Sequence, residues 1–412
     1  MSADSLDREL EWLIIGGGIH GVHVAARLIG EAAVPPERVR IVDPAARLLA
    51  RWRECTATTG MTHLRSPCVH HLGLSPWALR RFTDERGQLP GEPALFAPPY
   101  DRPSLAVFDA HCDHVIARFG LDACHLRDRA TRCALTCEGV ELHTAGGLEL
   151  RAENLVLAMG ASEQPHWPAW APRDDARIQH IFAADFGAWP SAAERETVAV
   201  VGGGITAAQV ALRLVDDGHR VHLVSRHALR EHQFDSDPGW LGPRFMRGFS
   251  QEPDLDRRRA MIRGARHRGS VPPDVHRALV HAIDSGQVSW HQTRVEALTA
   301  GREAPLRLEL ATSDPLEVQR VLLATGFAPQ RPGGAMIDAL VASASLPCAS
   351  CGYPIVDEAL RWHPRVYVTG PLAELELGPV SRNIAGARRA GDRLLAHLAA
   401  PPKRSAAARK VS

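Results

Sequence analysis

An α/β fold of two Rossmann-like domains, the second inserted in the first, is predicted by three observations. A strand reading WLII runs into Gly16, Gly18 and Gly21 at G-x-G-x-x-G spacing, then continues as an apolar helical pattern to Ile29. The plan returns 186 residues later, where TVAVV leads into Gly202, Gly204 and Ala207 and the helical AAQVALRLVDDG. Each copy closes on an apolar strand ending in Ala-x-Gly, at Gly160 and Gly326, 166 residues apart. Repetition of both opening and closing motifs at domain-sized spacing implies two dinucleotide-binding domains rather than a solenoid.

In the first turn, Gly16 allows a tight bend and Gly18 lets the backbone approach a pyrophosphate. Gly21 lets the helix pack closely on the strand. The phosphate then faces unpaired N–H groups at the positive end of the helix. A second strand, VRIV, ends at Asp43, 22 residues past Gly21, where an acid hydrogen-bonds ribose hydroxyls. An acid here also repels a 2′-phosphate, so this site suits FAD or NAD. The segment from Arg47 to Leu105 is long and weakly regular but carries Trp52, Met61, His63, His70, His71, Trp77 and Phe82. It holds too many rings for disorder and predicts an ordered loop over the cofactor. A helical pattern over Ser104–Phe119 follows, and alternating residues from Arg132 to Gly160 read as a hairpin-rich return to a buried strand.

In the second copy RVHLV ends at Ser225-Arg226, and Arg226 is read as the counterpart of Asp43. A guanidinium there clamps a 2′-phosphate, which points to NADPH. The insertion at about 227–288 contains QFDSDPGWLGPRF and the arginine-rich RRRAMIRGARHRG. It reads either as the wall of a substrate or NADPH entrance or as a solvated charged helix. Past a linker, Val366–Thr369 runs into Gly370, and helical periodicity resumes at Ile384. This third strand-to-helix junction predicts a return to the first domain. Its helix start, near Asn383, faces the polar edge of a cofactor ring. The expected domains are 9–190 and 327–399 for FAD, 191–326 for NAD(P)H, and a disordered tail over 400–412.

Composition narrows the chemistry. The only lysines are Lys403 and Lys410, so the folded body offers none for a Schiff base or a P-loop. A net charge of +1 draws the chain to neither nucleic acid nor anionic membrane. The N-terminus lacks a signal-peptide pattern, and no apolar run approaches the ~18 residues that span a bilayer. The eight cysteines show no framework spacing and read as reduced thiols, placing the chain in the cytoplasm. No spaced ligand set predicts a metal, and self-association as a homo-oligomer is left open.

Together GGGIHG, VVGGGITAAQVA, LLATGF and VTG…GPVSRNIAGAR resemble the two-dinucleotide flavoproteins. More narrowly they resemble class B flavin monooxygenases of the lysine/ornithine N-hydroxylase group. The resemblance covers nearly the whole chain in motif order. It implies that Gly16, Gly18, Gly21 and Asp43 hold FAD, and that Gly202, Gly204, Ala207 and Arg226 hold NADPH. It also implies that Gly326 closes the nicotinamide domain and that Trp52 lies near the flavin. The implied reaction uses NADPH to reduce FAD, which with molecular oxygen gives a flavin hydroperoxide that oxygenates a small nucleophilic substrate, with an amine favoured. His63, Arg65 and Ser66 are the candidates for the flavin face. The chain departs from the group in having no lysine in that loop, and in Pro371 where many flavoproteins have Asp. The rival readings are a disulfide or partner-protein reductase, through Cys348-Ala349-Ser350-Cys351, and a nonenzymatic binding protein.

Overall fold

The computed structural model describes residues 10–88, 94–186, 189–301 and 304–399; the expected tail lies outside them. The first sheet runs in the order Arg361–His363, Val366–Val368, Glu149–Leu157, Leu10–Ile15, Val39–Asp43, His125–Arg127. From Val366–Val368 to His125–Arg127 every neighbouring pair is parallel. The hairpin Ala130–Leu135/Val140–Thr144 joins Glu149–Leu157 antiparallel. The second sheet is wholly parallel, in the order Val288–Gln292, Arg220–Ser225, Thr197–Val201, Arg320–Leu323, Ile178–His180. A small antiparallel sheet of Val295–Thr299, Leu306–Leu310 and Leu316–Val318 lies beside it in sequence. Strands buried on both faces read as continuous apolar runs, which is why WLII and TVAVV were legible. Leu13, Ile14, Val198 and Val200 are fully buried, each contributing about 1.5–3 kcal/mol of apolar burial.

Three segments differ from the sequence reading. Within Arg47–Leu105 the chain forms two helices, Ala50–Thr59 and Ala78–Arg86. The first buries only Thr56 and Thr59 fully and ends on the left-handed Gly60, so it carries no apolar stripe to read. The linker after Phe327 contains the helix Gly334–Ala344, whose Ile337 and Leu340 are buried in the same hydrophobic cluster as Cys133 and Leu142 of the hairpin. Ile178–His180, expected within the first domain, pairs with Arg320–Leu323 at the edge of the second sheet.

The insertion packs on the first domain's return. Trp240, Met246, Phe249 and Ile262 share a hydrophobic cluster with Tyr353, Leu375 and Val380. The arginine run in the helix Leu255–Ala265 is therefore divided, with Arg257 and Arg263 exposed and Arg258 and Arg259 turned to the return. Arg258 donates to the Leu375 carbonyl at 3.1 Å, and Arg259 lies 4.0 Å over the Tyr353 ring and pairs with Glu374.

The tightest point of the first domain is the approach of the helix Ile19–Gly30 to its strand. A Cβ on Gly21 would lie 1.8 Å from the Gly16 carbonyl oxygen. Gly21→Ala should therefore cost about 3 kcal/mol or more and lower the fraction of protein that retains flavin. Thermal melting and the ratio of flavin to protein absorbance check this; parent-like values would refute the close approach.

Candidate functional site

Gly16 follows the central strand at φ +111°, with its N–H donating to the Val42 carbonyl at 3.0 Å. Beyond it, the Gly18 backbone is open: nothing stands within 4 Å of where a Cβ would be. No side chain caps the helix that starts there, so its first N–H groups face that open space. Asp43 sits at the end of the neighbouring strand, its Oδ2 accepting from Gly17 N at 2.7 Å and its Oδ1 from Ala45 N at 2.9 Å. Each oxygen keeps a lone pair for a ribose hydroxyl. This cradle fits the diphosphate and ribose of a dinucleotide.

The return brings a second wall to it. Gly370 has φ +65°, and a Cβ there would sit 3.7 Å from the His20 ring. His20 Nδ1 lies 2.8 Å from Thr369 Oγ1, and Ser381 Oγ donates to the Gly370 carbonyl. Asn383 precedes the helix Ile384–Ala399 and donates through Nδ2 to Asp235 Oδ1 at 3.1 Å. The structure thus gathers Gly16–Gly21, Gly370 and Asn383 around one cleft. The backbone about Gly160 is also open, at the far end of the strand beside Gly16.

At the second turn, Gly202 N donates to the Val224 carbonyl at 2.9 Å, as Gly16 N does to Val42. A Cβ on Gly202 would meet the Ala324 carbonyl at 2.5 Å, one residue short of the Thr325-Gly326 that closes this sheet. Ala207 is fully buried behind the turn. The matching register makes Ser225, not Arg226, the counterpart of Asp43. Ser225 Oγ is committed, donating to the His227 carbonyl and accepting from Trp290 Nε1, both at 2.9 Å. Arg226 lies one residue further, exposed and without a hydrogen-bond partner among the described residues, so it is free to take a phosphate. Gly204 differs from Gly18 in that the backbone of Gly269 stands 3.4 Å from its Cβ position.

The loop candidates divide. Arg65 spans the two domains, donating from Nε to the Gln233 carbonyl at 2.6 Å and from Nη2 to Ser270 Oγ at 2.8 Å. Burial lowers its pKa to about 10, leaving it charged at neutral pH. His63 turns to the Ala94 carbonyl at 3.0 Å. Trp52 stands on a helix, with Nε1 donating to Asp109 Oδ1 at 3.2 Å and its ring 5.5 Å from Phe108. Ser66 is half-buried beside Arg65. Sequence reasoning missed the network of Asp235, Arg259, Arg266, Glu374 and Arg382 between insertion and return. The arginine run was its only local signal, and its acidic partners lie far along the chain.

Among the described residues no group of three or more His, Cys, Asp or Glu can hold a metal ion, and no helix is long and apolar enough to cross a membrane. A family described as FAD-NAD(P)-binding matches residues 13–162, and one described as pyridine nucleotide-disulphide oxidoreductase matches 101–255. No curated protein matches significantly by sequence. Among solved structures, the Kutzneria sp. 744 ornithine N-hydroxylase aligns at TM-score 0.75 and 16% identity, over 95% of this chain and 99% of its own. The Pseudomonas aeruginosa ornithine hydroxylase gives 0.72 and 17% over the same shares, 95% and 99%. The bacillithiol disulfide reductase of Bacillus cereus gives 0.61 and 16%, again over 95% and 99%. The matched families and the fold thereby define the class: a two-domain dinucleotide-binding fold of the FAD- and NAD(P)-binding oxidoreductase kind. Within that class the fold aligns better with these two ornithine hydroxylases than with the reductase.

Two outcomes follow from the site. Replacing Arg226 with Ala should reduce the preference for NADPH over NADH by about 10- to 150-fold, read from kcat/KM with each nucleotide. An unchanged preference would remove Arg226 from the phosphate site. Burial also lowers the pKa of His20 to about 4 and of His23 to about 3, so both are neutral in the folded state. The unfolded chain binds more protons between pH 6.5 and these values, so the stability they allow is full above pH 6.5 and is lost as pH falls through that window. Urea midpoints at pH 7 and pH 4.5 should differ accordingly; equal midpoints would contradict the burial of both rings.

Proposed function

We propose that the protein is an NADPH-using flavin monooxygenase that transfers oxygen to a small nucleophile, with an amine favoured. The observation that carries this reading is the alignment of 95% of the chain with an ornithine N-hydroxylase, insertion and return included, at TM-score 0.75. FAD, when bound, supplies the two-electron chemistry between NADPH and oxygen. The first turn holds its diphosphate at the uncapped helix start, and Asp43 orients its ribose. Gly370, Ser381 and Asn383 form the wall at the ring end, where the start of the helix Ile384–Ala399 favours negative charge. Arg226 selects the phosphorylated nucleotide. Arg65 acts as a positioning residue, holding the loop His63–Ser66 to the insertion. All eight cysteines are free, which fits a reducing compartment such as the cytoplasm.

A reductase is the second reading, favoured by the fold match to a disulfide reductase at TM-score 0.61. Cys348 and Cys351 are both free thiols, each half-buried against a different hydrophobic cluster. That arrangement fits packing better than a shared redox bond.

Oxygen coupling separates the readings. With NADPH, oxygen and a panel of amines, thioethers and ketones, a substrate should shift the product from hydrogen peroxide to an oxygenated compound. Peroxide stoichiometric with NADPH under every condition, or loss of turnover in a Cys348→Ser/Cys351→Ser protein, would overturn the monooxygenase reading.

A further inference from the structure

The two glycine turns share their register but not their openness. Above Gly18 nothing stands within 4 Å of the Cβ position, whereas above Gly204 the Gly269 Cα stands at 3.4 Å and its carbonyl carbon at 3.9 Å. The middle glycine of such a turn is the point of closest approach for a pyrophosphate. Gly269 therefore lies where the phosphates of the second dinucleotide belong. The hollow between the turn and the side chains of Leu223, Leu229, Val271 and Leu279 has no room for a water molecule.

We propose that His267–Ser270 is a strap closing the nicotinamide-nucleotide turn, and that NADPH binds by displacing it. This rests on the second turn being the NADPH site. The strap is anchored at both ends. Arg266 Nη2 donates to the Pro379 carbonyl at 2.9 Å, and Val271 is fully buried, its carbonyl accepting from His232 N at 3.0 Å. Between the anchors, the ties are polar and separable. Ser270 pairs with Arg230 and accepts from Arg65 Nη2 at 2.8 Å, and the His267 ring stacks on His232 at 3.8 Å.

Gly269 is the residue that lets the strap close. It has φ +71°, and a Cβ on it would stand 2.4 Å from His227 Nε2. Any other residue would meet the His227 imidazole that fills the space beside Gly203. Arg226 immediately precedes His227 and Arg268 belongs to the strap itself, and neither guanidinium has a hydrogen-bond partner among the described residues. Displacement would expose backbone N–H groups of the turn on the side of Arg226, a set suited to an anion. Because the closed form excludes the nucleotide, observed affinity equals intrinsic affinity reduced by the open fraction.

The test titrates NADP⁺, which gives no turnover, into the FAD-loaded enzyme and follows calorimetry and amide hydrogen exchange. Gly269→Ala disfavours the closed backbone and Ser270→Ala removes the tie to Arg65, so each should bind NADP⁺ about 5-fold or more tighter than the parent. Arg226→Ala should bind it weaker. In the parent, saturating NADP⁺ should speed exchange at the Ser270 amide, which in the closed strap donates to the His267 carbonyl at 3.1 Å. Unchanged or weaker binding in both strap variants, or added protection at that amide, would overturn the strap while a weakened Arg226→Ala keeps the second turn as the site. Absence of NADP⁺ binding in every protein would overturn both.

Discussion

The Glu374 carboxylate fixes how the two domains meet. It is 1% exposed, and it pairs with Arg259 of the insertion and, at 2.7 Å, with Arg382 of the return. Arg382 also donates to the Tyr353 hydroxyl at 3.0 Å, above whose ring Arg259 lies. An isolated carboxylate at this depth would be strongly destabilising, and two guanidiniums offset that cost only while both are in place. Each comes from a different part of the chain. The charge therefore holds the insertion against the return, and the contacts Asn383–Asp235 and Arg266–Pro379 lie beside it. Through them the cleft at Gly18 and the turn at Gly204 keep a set relation.

Arginine takes on a further task in a body without lysine. Its planar fork supplies several donors at fixed angles, and here they are spent on backbone carbonyls at loops. Arg388 donates to the carbonyls of His71, Gly73 and Leu74, with the closest at 2.6 Å. Arg389 reaches those of Trp240 and Leu241, and Arg213 those of Ala57 and Thr58. A lysine ammonium donates from one point and could not bridge such carbonyl pairs as well. The arginine richness thus satisfies the irregular segments' own polar groups, rather than attracting an anionic partner.

What could be read in the sequence was what steric necessity writes locally. Gly16 is dictated by its own positive φ and Gly21 by the Gly16 carbonyl five residues away, so spacing reveals them. Doubly buried strands announce themselves as apolar runs. The end of a strand is less legible: Arg226 was paired with Asp43 because both follow an apolar stretch, and only hydrogen-bond register separates Ser225 from Arg226. The helix Ala50–Thr59 carried no stripe because it lies between two domains and buries small hydroxyls. The roles of Arg65 and Glu374 depend on partners 168 and 115 residues away at Gln233 and Arg259, which no local pattern encodes.

The insertion has a consequence for the order in which the molecule assembles as it leaves the ribosome. All five strands of the second sheet lie between Ile178 and Leu323, a continuous stretch of chain. The first sheet cannot be completed until Val366–Val368 has been made and has slotted beside Glu149–Leu157. The second sheet is thus free to form while the first waits with an open edge, and the insertion waits with it for Tyr353, Leu375 and Val380. On the proposed assignment of the flavin site, capture of the ring waits for Gly370 and Asn383 and so comes after every strand of the second sheet has been made, and a chain cut before Val366 would carry that sheet beside an unfinished flavin cradle.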